Sequence, residues 1–356
     1  MFARNALQAM FIALATLPAA GALVASADDG PSRRPDATGR PAITVLLPGL
    51  PDPSRAAEQA IPPATPSAGP RALVLLVGGM SSSHGDGSFD ALAARLAGDP
   101  RYEVRRFGSD PHHRYDTNGA LDPSADALIA EIRERAPHHS EIHLVTHSMG
   151  GVVVDRALDR GLSSRDGLRT VVSLASPRSG STLARTAQGL LDVAGDEAPF
   201  IRSLLRPLGD VDRPAIRDLA HGRPATAPDG VTRMDLRLAT DKLVLARDTL
   251  APGTDSRTLL PRSASGLEGH GGILRDPRAL DLVTATIALG HPPADLRSDA
   301  EKDRTSMVAS LHDGIVSLGL VVLATALMAL VVLLRLRRLT LRPLITPLVP
   351  RLWNWR

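Results

Sequence analysis

The chain of 356 residues has no cysteine, only two lysines, and an aromatic content of 3%. The lack of cysteine excludes disulfides, zinc–thiolate sites and a cysteine nucleophile within this chain. With so few aromatic residues, the core has to be built from aliphatic side chains, and the stacking residues typical of a carbohydrate site are scarce. Hydrophobic residues make up 43% of the composition, enough for one large domain with additional segments.

The net charge of +3 is concentrated at the C-terminal end, where six arginines and no acidic residue follow Leu334. Without that tail the chain carries −3. Immediately before it, residues 314–334 (GIVSLGLVVLATALMALVVLL) contain no charge. As a helix they would extend roughly 30 Å, the thickness of a bilayer core. We therefore predict a transmembrane helix at 314–334 with an Arg-rich cytoplasmic tail at 335–356, and no nucleic-acid partner.

The N-terminal residues 1–27 combine Arg4, a long apolar stretch and Ala25-Ser26-Ala27. This pattern is typical of a secretory signal peptide, and an uncleaved N-terminal anchor is the alternative. Either predicts that the domain lies on the extracytoplasmic side of the cell membrane. Residues 28–69 form a Pro/Ala-rich linker in this interpretation, with 43–47 also compatible with an edge strand. A second linker, next to the membrane, is predicted at 293–313.

Between the linkers, residues 70–292 alternate apolar runs with helical patterns. Such alternation predicts βαβ units, hence an α/β class with a doubly wound, mostly parallel sheet. Asp122 is expected to cap one helix, with Pro123 at its first position. The pattern changes to helical pieces broken by Pro and Gly at 182–228, which indicates either a cap (lid) or a plain surface insertion. The predicted strands are 71–77, 102–107, 142–145, 170–175, 232–239 and 257–260.

Residues 141–158 read EIHLVTHSMGGVVVDRAL. They predict a short apolar strand, a turn of small residues with Ser148 at its apex, and an apolar helix that begins at Gly150. A serine in such a turn has its hydroxyl lifted away from the sheet and a helix N-terminus beneath it. The free N–H groups of that helix end favour a developing oxyanion. The segment therefore predicts a nucleophile.

The segment 146–151 (THSMGG) resembles the x-H-S-M-G-G elbow of α/β-hydrolase lipases and esterases. Thr146 stands where the pattern G-x-S-x-G has its first glycine. The resemblance covers residues 72–289 and implies an α/β-hydrolase fold, with Ser148 as the nucleophile of a serine hydrolase. Residues 176–181 (SPRSGS) are similar to the TPHRGS segment found after the elbow helix and the next strand in many of these lipases.

The same resemblance extends to the loop after the first apolar strand. In the family this loop reads His-Gly-x, and residue x donates a backbone N–H to the oxyanion. Here the loop reads Gly78-Gly79-Met80, with Gly78 in place of the histidine. The resemblance therefore implies an oxyanion hole formed by the N–H groups of Met80 and Met149.

A serine nucleophile needs a histidine base and a carboxylate that orients it. In this fold they follow in the order serine, acid, histidine, which leaves four of the eleven histidines. We predict His270 as the base because its glycine-rich loop precedes the closing helix, where the family places this residue. The other three are His221, His291 and His312.

For the acid we predict Asp241, which follows the strand at 232–239 and resembles the D-x-x-V turn of lipases. Asp235 lies within that strand, and we expect it to face solvent or a helix. The remaining carboxylates are the reserves Asp248 and Asp255, with Glu268 ranked last because it is too close to His270 in the chain.

The resulting hypothesis is a membrane-anchored serine hydrolase that cleaves ester or lipid substrates, with the catalytic residues Ser148, Asp241 and His270. It needs no cofactor and no metal. An acyltransferase or amidase with the same triad is a second hypothesis, and a degenerate hydrolase that only binds is a third. The adjacent pairs His112-His113 and His138-His139 lack the i, i+4 spacing of a helical metal site, and we predict solvated loops there.

Overall fold

The computed structural model describes residues 69–206, 210–260 and 269–341. The predicted signal segment, the edge strand at 43–47, nearly all of the first linker and most of the basic tail lie outside these residues. One parallel sheet of six strands runs in the order β2-β1-β3-β4-β5-β6. The strands are β1 (Ala72–Val77), β2 (Tyr102–Arg106), β3 (Ile142–His147), β4 (Leu168–Leu174), β5 (Thr232–Leu238) and β6 (Asp255–Leu259).

Helices connect the strands and cover both faces of the sheet. Three of them lie between β4 and β5, within the predicted insertion at 182–228. The helices are α1 (Asp90–Ala97), α2 (Leu121–Arg135), α3 (Met149–Asp159), α4 (Thr182–Ala194), α5 (Ala198–Leu205), α6 (Pro214–Ala220), α7 (Pro277–Leu289) and α8 (Asp299–Leu341).

The central strands β1 and β3 are buried on both faces because their sequences are nearly continuous apolar runs. On one face, Leu128 of α2 and Val153 of α3 belong to an apolar cluster with alternate strand residues. On the other, Leu92 of α1 and Val283 of α7 belong to a second cluster. These two layers of helices confirm the doubly wound architecture.

The strand order reverses at β1, because the chain proceeds outward to β2 and then returns to place β3 on the other side of β1. In open α/β sheets, the ligand site lies beyond the carboxyl ends of the strands at such a point. Together with the elbow described below, this order defines the α/β-hydrolase fold that the sequence predicted.

The start of α2 differs from the prediction. The helix begins at Leu121, so Asp122 lies inside its first turn. The carboxylate that caps it comes from α6, where Asp218 Oδ2 accepts the backbone N–H of Leu121 at 2.8 Å. A tertiary contact thus replaces the local cap.

Helix α8 is continuous over 43 residues, so 299–313, predicted as a linker, form its first turns. These turns are helical because one face packs on the domain, including Val308, Ala309 and Asp313. Among the described residues, α8 is the one helix long and apolar enough to cross a membrane. Three of its residues pack on α4 and α5, namely Leu323, Leu327 and Val331.

Candidate active site

Ser148 lies between β3 and α3 with a backbone φ of 54° and ψ of −126°. A non-glycine residue with positive φ costs about 1–3 kcal/mol, so the surroundings have to hold it in place. The Ser148 N–H donates to Leu174 O of β4 at 3.0 Å, and the Ser148 carbonyl accepts from Gly151 N–H at 3.1 Å. The turn therefore has the strained geometry of a nucleophile elbow.

Two glycines allow this turn to pack closely. A Cβ on Gly150 would meet the carbonyl oxygens of Val77 and Gly78 at the end of β1, the latter at 2.6 Å. A Cβ on Gly151 would meet Ser176, and would lie 3.1 Å from Thr146 Oγ1. Thr146 is fully buried. The space left by Gly151 thus accommodates a threonine at the position where the lipase pattern has glycine.

Asp241 follows β5 and is hydrogen-bonded to His270, with Nδ1 donating to Oδ2 at 2.7 Å. The other carboxylate oxygen accepts the N–H groups of Leu243 at 2.9 Å and Val244 at 3.1 Å. Asp241 is almost completely buried. These contacts hold the carboxylate in place, and they place the ring proton of His270 on Nδ1, so that Nε2 is the basic nitrogen.

The Nε2 atom of His270 is buried and has no hydrogen-bond partner among the described residues. An unpaired polar atom in a buried position is costly, and a catalytic role is one of the explanations for it. In sites without substrate, the contact between base and nucleophile is often loose and tightens on binding.

His147, the residue before the nucleophile, stacks on His270 with ring centroids 4.6 Å apart and a 36° angle between the planes. Its Nε2 lies 3.4 Å from the carbonyl oxygen of His270 and is oriented to donate to it. Burial, followed by the nearby charge of His270, lowers the pKa of His147 to about 4, so this ring is neutral at pH 7. The contact places His270 beside the elbow.

Chain order alone excludes His147 as the base, because it precedes Ser148. The signal that could have pointed to it is its position next to the nucleophile in a strand-to-helix turn.

The loop after β1 passes directly over Ser148. A Cβ on Gly79 would lie 2.9 Å from Ser148 Cβ and 3.4 Å from its Oγ. Met80 follows Gly79, and Met149 is the first residue of α3, where backbone N–H groups have no partner within the helix. The two residues predicted for the oxyanion hole thus lie on adjoining segments around Ser148.

The histidine of the lipase pattern does not fit at Gly78 in this loop. A Cβ at this position would collide with the side chain of Ser82, whose Oγ donates to Gly79 O at 2.6 Å. On the other side, Tyr115 OH donates to Gly78 O at 2.7 Å. The loop is thus held by neighbouring hydroxyl groups.

A cluster of four buried charges joins α3, β5 and the segment after β4; we call it the Arg178 cluster. Arg178, from the SPRSGS segment, is fully buried and donates to both oxygens of Asp155 on α3 at 2.8 Å. It also donates to Asp235 Oδ2 on β5 at 2.8 Å. Arg233 donates to Asp155 Oδ1 at 2.7 Å. Asp235 is therefore buried in an ion pair and does not face solvent, and the cluster that it joins includes Asp155 of α3.

The other residues weighed as alternatives have different partners. Asp248 accepts from Thr182 N and Oγ1 at the start of α4, and Asp255 pairs with Arg257. His312 is buried against the Asp241 backbone. Glu268 lies outside the described residues. The two remaining histidines bond to nearby carbonyl oxygens, His221 to Arg217 and His291 to Pro292.

Two surface cavities, of about 470 and 180 Å³, lie away from these residues. The larger is between α2 and α3, and the smaller is at the amino ends of β1, β2 and β3; neither is lined by Ser148 or His270. We therefore locate the site from the side-chain chemistry rather than from these cavities. Within the described ranges no group of three or more His, Asp or Glu could hold a metal ion.

No protein-family model and no curated protein matches this chain. Among solved structures, lipase B of Aspergillus fumigatus is 18% identical with a TM-score of 0.44, over 82% of this chain and 73% of that one. Phospholipase PlaB of Legionella pneumophila is 14% identical with a TM-score of 0.43, over 69% and 64%. A thermophilic esterase of Thermogutta terrifontis is 17% identical with a TM-score of 0.40, over 63% and 92%.

Each of these TM-scores is below 0.5. The α/β-hydrolase fold of this chain is therefore assigned from its strand order and its elbow.

Proposed function

We propose that this protein is a membrane-anchored serine hydrolase of carboxylic esters, with Ser148 as nucleophile, His270 as base and Asp241 as the orienting acid. The observation that carries the proposal is the 2.7 Å bond from His270 Nδ1 to Asp241, next to a serine with a φ of 54°. A histidine whose Nδ1 proton is held by a buried carboxylate, and whose Nε2 is free, is the base that a serine nucleophile needs.

In the proposed acylation, Ser148 Oγ attacks the ester carbonyl while its proton passes to His270 Nε2. The carbonyl π bond opens and its oxygen becomes an oxyanion, stabilised by the N–H groups of Met80 and Met149. The C–O bond to the leaving alcohol then breaks, and the alcohol takes the proton from Nε2. Asp241 keeps its charge throughout and stabilises the imidazolium. The product is an acyl-enzyme on Ser148.

In the proposed deacylation, His270 takes a proton from water, which attacks the acyl carbon. The Ser148–acyl bond breaks, the carboxylic acid leaves, and the proton returns to Ser148 Oγ. An alcohol or amine in place of water would make the same site an acyltransferase. No metal or organic cofactor enters either half-reaction.

The membrane anchor in this proposal is the part of α8 at 314–334. Apart from the side that packs on α4 and α5, this segment exposes large apolar residues to solvent, which a soluble helix does not tolerate over such an area. The arginines that follow favour a cytoplasmic C-terminus, and hence an extracytoplasmic domain. Examples of the exposed side chains are Leu318, Val321, Val322, Val332 and Leu333.

The test is labelling of the full-length protein in membranes by a fluorophosphonate probe, with hydrolysis of short and long p-nitrophenyl esters measured beside it. We expect labelling and hydrolysis in the wild type and in Ser140→Ala, an exposed serine just before the same strand. We expect neither in Ser148→Ala. A folded wild type that does not react would support a binding module instead. Turnover that requires an added alcohol or amine would support an acyltransferase.

A further inference from the structure

The N-terminal third of α8 contacts the loop that carries Asp241. His312 is buried, with 5% of its surface exposed, and its Nε2–H donates to the backbone oxygen of Asp241 at 3.1 Å. A histidine in the first turns before a membrane span is expected to face solvent, and this one faces the candidate acid.

The next residue of α8, Asp313, binds the same loop further along the chain, where a 3-10 helix begins. Its Oδ1 accepts the N–H of Ala246 at 3.0 Å, and its Oδ2 accepts the N–H of Arg247 at 3.1 Å. These two N–H groups begin the short 3-10 helix Ala246–Thr249. Arg247 in turn donates to Ser317 Oγ at 2.7 Å. Asp313 thus acts as an N-cap supplied by another helix.

Apolar packing adds to the contact between α8 and this loop. Val308 and Ala309 of α8 pack on Ala239, the residue after β5, and on the partly buried Ala246 and Leu260. The loop from β5 to the 3-10 helix is therefore held at its start by side-chain packing, near its middle by His312, and at its end by Asp313.

We infer that His312 and Asp313 are positioning residues for the Asp241–His270 pair, so that the anchor helix is a structural component of the active site. His312 fixes the backbone of Asp241, and Asp313 fixes the loop behind it. Displacement of a catalytic group by about 1 Å costs up to 10²-fold in rate. Loss of these contacts should therefore slow the chemical step without weakening the binding of substrate.

Since this inference rests on the proposed function, its test measures hydrolysis of a short, water-soluble p-nitrophenyl ester by full-length protein in detergent micelles. We expect His312→Leu to lower kcat about 10- to 100-fold with little change in KM. His312→Gln, whose amide N–H reaches a similar position, should recover most of the rate. Asp313→Asn, which keeps one acceptor oxygen, should give an intermediate loss.

Leu311→Ala is the matched control, because Leu311 is adjacent on α8 and 46% exposed. It should behave as the wild type. An active wild type in which His312→Leu keeps kcat within twofold of this control would overturn the inference. So would a loss in KM alone, or a His312→Gln variant as slow as His312→Leu. An inactive wild type would instead reject the proposed function.

Discussion

The Asp241–His270 pair and the Arg178 cluster both involve carboxylates in or just after β5. They differ in how far solvent reaches their side chains. In the Arg178 cluster, two aspartates and two arginines cancel in charge, and their side chains are 0–4% exposed. In the pair, Asp241 is 1% exposed but the His270 side chain is 12% exposed.

Both sites leave buried polar atoms without a partner in the described part of the chain, including Arg233 Nη2 in the cluster and His270 Nε2 in the pair. An unpaired atom alone therefore does not identify a reactive site. What distinguishes the pair is that its unpaired atom is a ring nitrogen able to accept a proton, on a partly exposed side chain that stacks on His147, the residue before Ser148. The cluster ties the SPRSGS segment to α3 and β5, which is an architectural role.

The largest expected effect comes from Asp241→Asn. The amide oxygen of asparagine still accepts from the loop N–H groups, but its NH₂ then faces His270 Nδ1. That contact forces the ring proton onto Nε2, where it blocks acceptance of the serine proton. We expect kcat for a soluble ester to fall about 10⁴-fold.

The control is Asp235→Asn, the same change in the Arg178 cluster. It should keep kcat within a few-fold while lowering stability, because a buried arginine loses one of its ion-pair partners. If Asp241→Asn and Asp235→Asn lost kcat equally, the distinction drawn between the two sites would be wrong.

The next effect concerns stability. Arg178→Ala leaves two buried carboxylates without their main cation, and we expect the free energy of unfolding to fall by about 3–5 kcal/mol. Burial alone would lower the pKa of Arg178. The hydrogen bonds to Asp155 and the charge of Asp235 outweigh burial and raise that pKa, so the substitution removes a full positive charge. Denaturant unfolding in detergent measures the change.

Arg133→Ala is the matched control for this variant, because Arg133 is 53% exposed and pairs with Asp166 at the surface. Such pairs contribute about 0–1 kcal/mol. Similar losses in the two arginine variants would mean that the Arg178 cluster does not hold the fold as argued.

The smallest effect is the pH dependence of stability due to His147. Its pKa in the folded protein, about 4, lies below the ordinary 6.5, so the unfolded chain takes up the proton first as pH falls. The stabilisation is fully present above pH 6.5 and is lost towards pH 4, amounting to at most about 3 kcal/mol. His147→Phe keeps a stacking ring without a titrating nitrogen, and its stability should fall less over this range. Parallel pH curves for variant and wild type would contradict this.

Much of the site could be predicted because the physics there is local or topological. The apolar run before Ser148 and the small residues after it specify a strand, a sharp turn and a helix without reference to the rest of the chain. Asp241 and His270 could be selected because the order serine, acid, histidine leaves few candidates and because their loops resemble the corresponding lipase segments.

What could not be predicted depends on contacts across the chain. The cap of α2 comes from Asp218, 97 residues away from Leu121. The burial of Asp235 depends on Arg178, and the need for glycine at position 78 depends on where the fold places Ser82. Local patterns carry no information on such pairings, which arise from the packing of helices and loops on the sheet.

The unbroken course of α8 has a consequence for how substrates would reach the site. His312, which touches the Asp241 backbone, is two residues before the predicted span, or about 3 Å along the helix axis. If residues 314–334 span the membrane as proposed, this continuous helix would keep the acid loop near the level of the lipid headgroups. For an ester that resides in the membrane, encounter with this site would be a search in two dimensions. Its rate would follow the surface density of the lipid, while a dissolved ester would have to approach from the bulk.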